Sequence, residues 1–209
     1  MTSRPNTRTI WLVRHGESTW NVLGLVQGHA DDATLTRQGR RQAQLLTYRL
    51  DSRTVGAVYS SDLRRARETA TILADSLGLL TEPHAALRER SLGVLEGSPV
   101  TSLAPEVTGI DGDRVVGADA RPAGGESLED LYRRAGGFVE WLGQQPHDAD
   151  VLVVAHGGTV RMIRAYCAGR MVPDMTWDTV PNGSLWRVRM PSLDAAQSAA
   201  HVPTPIRAL

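Results

Sequence analysis

The sequence has one cysteine and no lysine, and its charges balance. A single cysteine, Cys167, excludes an internal disulfide and a zinc site built from cysteines. All 23 basic residues are arginines, which we attribute first to a GC-rich genome and second to selection for forked contacts with phosphate. The 23 acidic residues cancel them. The protein therefore lacks the basic field that favours nucleic acids and anionic membranes, and we expect it to bind neither.

The sequence also lacks a long apolar run. Residues 1–8 carry positive charge, but the apolar segment after them, residues 9–13, is short and is followed at once by Arg14 and His15. That pattern is neither a signal peptide nor a membrane span, so we expect a cytoplasmic location. With 209 residues, 41% hydrophobic and 22% charged, the chain has the length and composition of one globular domain.

Short apolar, β-rich runs recur along the chain, and each is followed by polar residues and then a helical pattern. The runs are residues 9–13, 55–59 and 151–155. Helices should begin at good N-cap residues, namely Thr36, Ser61, Asp62 and a position near Ser127. This βαβ rhythm predicts an α/β fold, a single-domain three-layer sandwich with a mostly parallel central sheet flanked by helices.

Three segments lack a sustained pattern. Residues 98–125 are rich in Gly, Pro, Asp and Val, and we interpret them as a mobile insertion or lid. We expect residues 1–8 to form a flexible N-terminus and residues 191–209 a loosely ordered tail, which leaves residues 9–190 as the folded domain.

Polar motifs follow the three apolar runs. They are Arg14-His15-Gly16-Glu17, Ser61-Asp62-Leu63-Arg64-Arg65-Ala66 and His156-Gly157-Gly158. Taken alone, each motif is more often a solvated surface feature or a structural histidine. Ligands of open α/β sheets, however, bind beyond the carboxyl ends of the parallel strands. The shared placement therefore favours a ligand site in which two histidines and several arginines meet.

These motifs resemble those of a known family. Residues 12–21, LVRHGESTWN, resemble the signature of the histidine phosphatase superfamily in its phosphoglycerate mutase-like branch. Further family motifs follow in order: Gln27-Gly28, Leu35-Thr36 with Gly39, residues 60–70, Leu87-Arg88-Glu89, Leu92-Gly93 with Glu96-Gly97, residues 124–127 and residues 154–158. The match covers residues 9 to about 189. It implies the phosphoglycerate mutase-like sandwich and a histidine phosphatase domain over residues 9–190.

The resemblance implies catalytic roles position by position. His15 becomes the nucleophile, and Arg14, Arg65 and His156 surround the transferred phosphoryl group. Glu89 becomes the proton donor. The activity it implies is that of a phosphatase that acts through a phosphohistidine.

The family pattern also places four residues at the substrate, Asn21, Gln27, Gly28 and Gly157. For Asn21 a structural role in a turn is an equal alternative. Glycine at 157 lets backbone and ligand approach closely. Glu17, next to the nucleophilic segment, is expected to be structural.

Elementary chemistry agrees with these roles. Guanidinium groups such as those of Arg14 and Arg65 stabilise the charge on a phosphoryl group in flight. They also disfavour imidazolium, so they should lower the pKa of His15 and leave a neutral nucleophile. An acid at Glu89 must give a proton to the leaving oxygen and later take one from water. Glu96 is the rival acid.

Other functions stay open. A phosphoglycerate mutase uses the same site but returns the phosphoryl group to a substrate; such mutases are generally longer and carry a basic, aromatic stretch where this chain has residues 91–97, SLGVLEG. A non-catalytic interaction module would keep only the fold, yet every expected catalytic position is filled. A metal-dependent hydrolase needs clustered ligands, and neither His15 nor His156 has a His or Asp at i+2 or i+4. We expect no metal and no cofactor.

The expected partner is a small phosphorylated metabolite whose identity the sequence leaves open. Relatives that this chain resembles act on sugar phosphates, phosphoglycerate derivatives, ribazole phosphate or nucleotides. We expect residues 98–125 to select the substrate, with Arg114 and Arg121 as candidates for a second anionic group. A homodimer stays an open alternative to a monomer.

Overall fold

The structure, a computed structural model, describes residues 8–50, 54–146 and 149–191. Its strands are β1 (Thr9–Arg14), β2 (Val55–Ser60), β3 (Thr81–Pro83), β4 (Ile110–Asp111), β5 (Arg114–Val115), β6 (Asp150–Ala155) and β7 (Leu185–Arg189). Its α-helices are α1 (Thr19–Val22), α2 (Arg37–Thr47), α3 (Arg64–Leu77), α4 (Pro105–Thr108), α5 (Leu128–Gly143) and α6 (Gly157–Cys167). Single 3₁₀ turns occur at Ala85–Leu87, Gly93–Leu95, Val100–Ser102 and Val172–Asp174. Residues 1–7 and 192–209, most of the predicted N-terminal and C-terminal segments, lie outside the described residues.

The central sheet has the strand order β3-β2-β6-β1-β7. Strand β6 pairs in parallel with β1 and β2, and β2 pairs in parallel with β3. Strand β7 runs antiparallel to β1 at one edge. The prediction of a mostly parallel sheet is confirmed, and the three apolar runs form its central strands β1, β2 and β6.

Side chains of the central strands alternate between two cores. Ile10 and Leu12 of β1 and Val153 of β6 pack with α5 and α6, whereas Val13 and Leu152 pack with α3 and the end of α2. Each such aliphatic side chain contributes about 1.5–3 kcal/mol when fully buried. Helices therefore cover both faces of the sheet, which confirms the single-domain three-layer sandwich.

Helices α2 and α5 begin where the sequence predicts. The Thr36 hydroxyl accepts the N–H of Gly39 at 2.9 Å. Ser127 accepts the N–H of Asp130 at 3.1 Å, and the Asp130 carboxylate accepts the N–H of Ser127 at 2.9 Å. This reciprocal capping box satisfies N–H groups that the first helical turn cannot pair internally.

The predicted caps of α3 at Ser61 and Asp62 are wrong. The helix begins at Arg64 after Leu63, which has no capping side chain. Ser61 Oγ accepts the N–H of Leu63, and the Asp62 carboxylate accepts two hydrogen bonds from Arg88, at 2.7 and 2.6 Å. Both polar side chains thus serve the strand-to-helix turn and a long-range ion pair.

Residues 98–125 contain the 3₁₀ turn at Val100–Ser102, helix α4 and the β4–β5 hairpin, which their irregular pattern does not predict. Arg90, 4% exposed, anchors this segment through backbone carbonyls. Its guanidinium donates to the carbonyls of Thr108 at 2.5 Å, Ala120 at 2.7 Å and Glu126 at 2.8 Å. The interpretation of the segment as a lid stays a prediction.

The structure also gives the position of the single cysteine and the character of the helices. Cys167 ends α6 half-buried against the core, and burial raises the pKa of its thiol to about 12. In the described part of the chain, no helix combines the length and apolar character that crossing a bilayer needs.

Candidate active site

Two histidines meet where neighbouring parallel strands end. His15 follows β1 and His156 follows β6, and the His15 N–H donates to the carbonyl of Ala155 at 2.9 Å. The ring centroids lie 5.0 Å apart, with the ring planes at 62°. Both side chains are buried, at 2% and 0% exposure. Pairing of β1 with β6 therefore brings together residues that are distant in sequence.

The tautomer of His15 follows from its neighbours. Its Nδ1 lies 2.7 Å from the Gly16 carbonyl oxygen, which can only accept, so Nδ1 carries the hydrogen. The lone pair is then on Nε2. Asn182 Nδ2 donates to the carbonyls of His15 at 3.2 Å and Gly16 at 3.4 Å, which fixes the same turn from the other side.

Two glycines let helix α2 approach this turn. A Cβ on Gly16 would lie 2.3 Å from the Gly39 oxygen, and one on Gly39 would lie 2.1 Å from the Glu17 oxygen. The Glu17 carboxylate accepts the Thr36 hydroxyl at 2.7 Å, at the start of the same helix. Glu17 thus takes part in positioning α2, as expected of a structural residue.

Two buried guanidinium groups lie beside the histidines. Arg65, 0% exposed, donates to the carbonyls of Ala30 at 2.7 Å and Gly28 at 2.8 Å, and Arg14 donates from Nη1 to Val180. Burial lowers the pKa of Arg65 to about 10 and lowers that of Arg14, so both are charged at neutral pH. The Nε of each has no hydrogen-bond partner within the described residues. Buried donors without acceptors can bind the oxygens of an anionic ligand.

Both histidines are neutral in this environment. Burial lowers the pKa of His15 well below its ordinary value, the charges of Arg65 and Arg14 lower it further, and the Gly16 carbonyl opposes the shift. Burial and then Arg65 lower the pKa of His156 in the same direction. Neither ring nitrogen of His156 has a hydrogen-bond partner in the described part of the chain.

Glu89 is held by backbone groups. Its Oε2 accepts the N–H of Gly158 at 3.0 Å and its Oε1 that of Arg90 at 2.9 Å. A Cβ on Gly158 would lie 2.3 Å from Glu89 Oε1, so the glycine permits this contact. The carbonyl of Glu89 accepts Arg134 Nη2 at 3.1 Å and faces His29 Nε2 at 2.8 Å.

Glu96, the rival acid, serves a turn. Its Oε1 accepts the N–H of His29 at 2.9 Å and that of Leu92 at 3.0 Å. A Cβ on Gly28, whose φ is +45°, would lie 2.1 Å from the same oxygen. Glu96 is not among the residues that line the adjoining pocket.

A pocket of about 310 Å³ opens at this edge of the sheet. Its lining includes both the predicted acid and an arginine of the phosphoryl site, together with every predicted substrate-binding residue: Arg14, Glu89, Asn21, Gln27, Gly28 and Gly157. His15, Arg65 and His156 are not among the lining residues, but His15 and His156 adjoin Arg14 and Gly157 in the chain, and Arg65 donates to the Gly28 carbonyl. A larger groove of about 590 Å³ between α6 and β7 contains none of the predicted site residues.

The turn role that was the alternative for Asn21 is present in the structure. Its Oδ1 accepts the N–H of Ser18 and Asn182 Nδ2, both at 3.0 Å, and Ser18 caps α1. Gln27 Oε1 lies 2.8 Å from Ser18 Oγ. The carboxamide oxygens of both pocket residues are therefore used within the protein.

Arg161 is a pocket residue that the sequence analysis missed. Its Nε donates to the Asp178 carbonyl at 2.7 Å, and its guanidinium stacks 4.4 Å from the Trp177 ring centroid. The point where a Cβ of Gly157 would stand lies 3.4 Å from Arg161 Nη1 and 3.7 Å from Arg14 Nε. Its position four residues after Gly157 on one helix is the signal that could have found it.

Arg114 and Arg121 do not line the pocket, contrary to their suggested role as anion-binding candidates. Arg121 pairs with Asp130 at 2.5 Å, and Arg114 lies in the β4–β5 hairpin with an exposed side chain. Among the described residues, no three His, Cys, Asp or Glu side chains lie together as a metal site would need. Metal independence stays a prediction.

Comparison with known proteins identifies the family. The model of the histidine phosphatase superfamily (branch 1) matches residues 10–195. A probable phosphoglycerate mutase GpmB of Yersinia pestis (strain Pestoides F) is 39% identical over 149 residues, which are 71% of this chain and 69% of that protein. The match confirms the family resemblance of the sequence motifs.

Solved structures give the same result. "Mycobacterial hydrolase 1" superposes with a TM-score of 0.75 at 29% identity, covering 88% of this chain and 91% of that one. A mycobacterial glucosyl-3-phosphoglycerate phosphatase complexed with VO3 has a TM-score of 0.74 at 31% identity, covering 86% and 92%. The chain belongs to the histidine phosphatase superfamily. Phosphatase or mutase activity through a phosphohistidine is typical of it.

Proposed function

We propose that the protein is a metal-independent phosphomonoesterase that hydrolyses a small phosphorylated metabolite through a phosphohistidine on His15. The observation that carries this proposal is the buried His15, whose Nδ1 is bonded to the Gly16 carbonyl, beside the buried His156 and two guanidinium groups whose Nε donors have no partner among the described residues. A nucleophile next to donors for three phosphoryl oxygens is the arrangement that phosphoryl transfer requires.

In the first step His15 Nε2 attacks phosphorus and the bond to the leaving alkoxide oxygen breaks. Arg14, Arg65 and His156 bind the phosphoryl oxygens, whose charge grows in the transition state. Glu89 gives its proton to the leaving oxygen.

In the second step water attacks the phosphohistidine. Glu89 takes the proton from water, the P–N bond breaks, and Nε2 recovers its lone pair. The hydrogen stays on Nδ1 in both steps, where it is donated to the Gly16 carbonyl, so His15 needs no change of tautomer.

Arg161 is a third cation for the phosphoryl end. Its Nη1 and the Nε of Arg14 flank Gly157, and its Nε and stacked face are fixed by Asp178 and Trp177. A planar guanidinium held at one nitrogen leaves its other N–H groups directed at a ligand.

A phosphoglycerate mutase is the second candidate, because the Yersinia relative has that name. The two functions differ in the fate of the phosphoenzyme. A mutase transfers its phosphoryl group to phosphoglycerate faster than water removes it.

The test is to trap the phosphoenzyme and follow it. With a labelled phosphomonoester, the wild type should give an acid-labile phosphoprotein that decays to inorganic phosphate, at a rate unchanged by added 3-phosphoglycerate or chelator. His15→Ala should give no label and lose at least about 10⁴-fold in kcat, while folding normally by circular dichroism.

His84→Ala is the control, because His84 packs on Phe138 outside the pocket and should keep full labelling. Label that passes to 3-phosphoglycerate would favour the mutase. Substantial turnover by His15→Ala would contradict the phosphohistidine.

A further inference from the structure

The pocket wall differs in chemistry from the cationic end of the pocket. Apart from Arg14, Glu89 and Arg161, its side chains are mainly apolar. They are Leu25, Leu92, Val100, Leu103, Ile110 and Trp177, with Val26 behind them. Sites for polar metabolites place hydrogen-bonding groups on such a wall to orient the hydroxyls.

Several polar atoms of this wall are already bonded within the protein. The Arg90 guanidinium donates to three backbone carbonyls, and the Thr108 hydroxyl lies 3.1 Å from the Ala104 carbonyl and 3.3 Å from the N–H of Ile110. The carboxamide oxygens of Asn21 and Gln27 contact Ser18. These atoms are therefore occupied, and on this wall a polyhydroxylated leaving group would find partners mainly in the amide N–H groups of Asn21 and Gln27.

Residues 98–125 supply apolar groups to the pocket and keep their charges outside it. Val100, Leu103 and Ile110 line the pocket. Arg121, which pairs with Asp130, and Arg114 do not. The segment that was expected to select the substrate thus presents a hydrophobic surface.

We propose that the leaving group is a hydrophobic alcohol, so that the substrate is an alkyl or aryl phosphomonoester and not a sugar phosphate. This inference rests on the proposed phosphatase function. The cationic end holds the phosphoryl group, and the apolar wall removes the hydrocarbon from water. A hydroxyl buried against the apolar side chains would lose its hydrogen bonds to water and gain none from them.

The test compares two esters of the same shape. Cyclohexylmethyl phosphate and glucose 6-phosphate share a six-membered ring on a primary phosphate ester, and only the sugar carries hydroxyls. We expect kcat/KM to favour the cyclohexylmethyl ester by about 10- to 100-fold, the range over which apolar pockets discriminate. Glucosyl 3-phosphoglycerate, the substrate in the name of one structural neighbour, should be as poor as glucose 6-phosphate.

Matched variants locate the preference. Leu103→Gln should reduce the ratio of the two kcat/KM values at least fivefold. Val100→Thr should reduce the ratio in the same direction. Threonine has the shape of valine, and position 100 is 49% exposed, so the fold is not at risk. Val107→Gln is the control, since Val107 lies in the same segment, 36% exposed and outside the pocket lining, and should leave the ratio unchanged.

The outcomes separate this inference from the function on which it rests. Equal or better turnover of glucose 6-phosphate or glucosyl 3-phosphoglycerate, with a normal phosphoenzyme, would overturn the hydrophobic leaving group and leave the phosphatase standing. A preference that survives in Leu103→Gln and Val100→Thr would also overturn it. No phosphoenzyme from any ester, p-nitrophenyl phosphate included, would overturn both.

Discussion

The two parts of the pocket are built in opposite ways. The proposed phosphoryl end consists of charged or polar side chains, His15, Arg65 and His156, that are buried at strand and helix ends, and backbone carbonyls hold the first two. The apolar wall consists of side chains such as Val100 and Leu103 on irregular segments, half-buried or exposed. Under the proposed function, regular elements hold the reacting groups, and loops carry the contacts that choose the substrate.

This difference has an energetic meaning. At the proposed phosphoryl end each polar group is bonded within the protein or can bond to the phosphoryl group, which all esters share. A substitution there should therefore lower kcat/KM for every ester alike. At the apolar wall a substitution should change the ranking of esters. The predictions below test that division.

After the loss of the nucleophile in His15→Ala, the largest effect should come from Glu89, which serves both proposed chemical steps. With an alkyl phosphate, Glu89→Gln should slow phosphoenzyme formation by about 10²–10⁴-fold, because the alkoxide needs a proton. With p-nitrophenyl phosphate, the phenolate leaves unaided, and slow hydrolysis of the phosphoenzyme should produce a burst of nitrophenol in rapid-mixing kinetics.

Glu96→Gln is the control for that experiment. Glu96 accepts two backbone N–H groups of a turn, so its loss should lower the melting temperature without producing a burst. Equal losses for Glu89→Gln on both esters, with no burst, would show that Glu89 only shapes the pocket.

The next effect should come from Arg65. Arg65→Ala should lose about 2.7–4 kcal/mol of transition-state stabilisation with any ester, as removal of a positioned donor does. It should also lower stability, because the carbonyls of Gly28 and Ala30 lose their donors. The neighbour Arg64 is exposed, and Arg64→Ala should change both quantities little. The reverse result in steady-state kinetics and thermal unfolding would place the wrong arginine in the site.

The smallest effect is the pH dependence of folding. His15 and His156 have lowered pKa values when folded, mainly through burial, whereas they titrate near 6.5 when unfolded. The unfolded chain therefore binds more protons below pH 6.5, and the free energy of unfolding should fall by about 1.4 kcal/mol per pH unit for each histidine as the pH decreases.

Urea unfolding between pH 7.5 and 5.5 measures this slope above the range in which carboxylates titrate. His156→Asn should reduce it, and Leu103→Gln on the apolar wall should leave it as in the wild type. The same slope in His156→Asn as in the wild type would contradict a neutral, buried His156.

Particular elements show why much of the fold was predictable. Runs 9–13, 55–59 and 151–155 are apolar on both faces because each strand is covered on both sides, and this property is written into consecutive residues. The Ser127 cap is equally local. The caps at Ser61 and Asp62 failed because Arg88, distant in sequence, binds the Asp62 carboxylate.

The meeting of His15 and His156 was predictable, because each follows a central strand within a sequence motif. Contacts between side chains and backbone carbonyls were not predictable. Arg90, Arg134 and Asn182 contact carbonyls that any residue provides, so no pattern of residue types marks their partners. The apolar wall was missed because Val100, Leu103 and Ile110 have no regular spacing and converge only through the turns between them.

The attachment of residues 98–125 through Arg90 bears on how this fold acquires new specificities. Arg90 adjoins Glu89, the acid of the proposed mechanism, and its guanidinium donates to the carbonyls of Thr108, Ala120 and Glu126. Every amino acid offers the same carbonyl, so mutations can replace the side chains of the segment while its attachment to the catalytic acid persists. Under the proposed function, single substitutions can therefore change the apolar wall while Glu89 keeps its position.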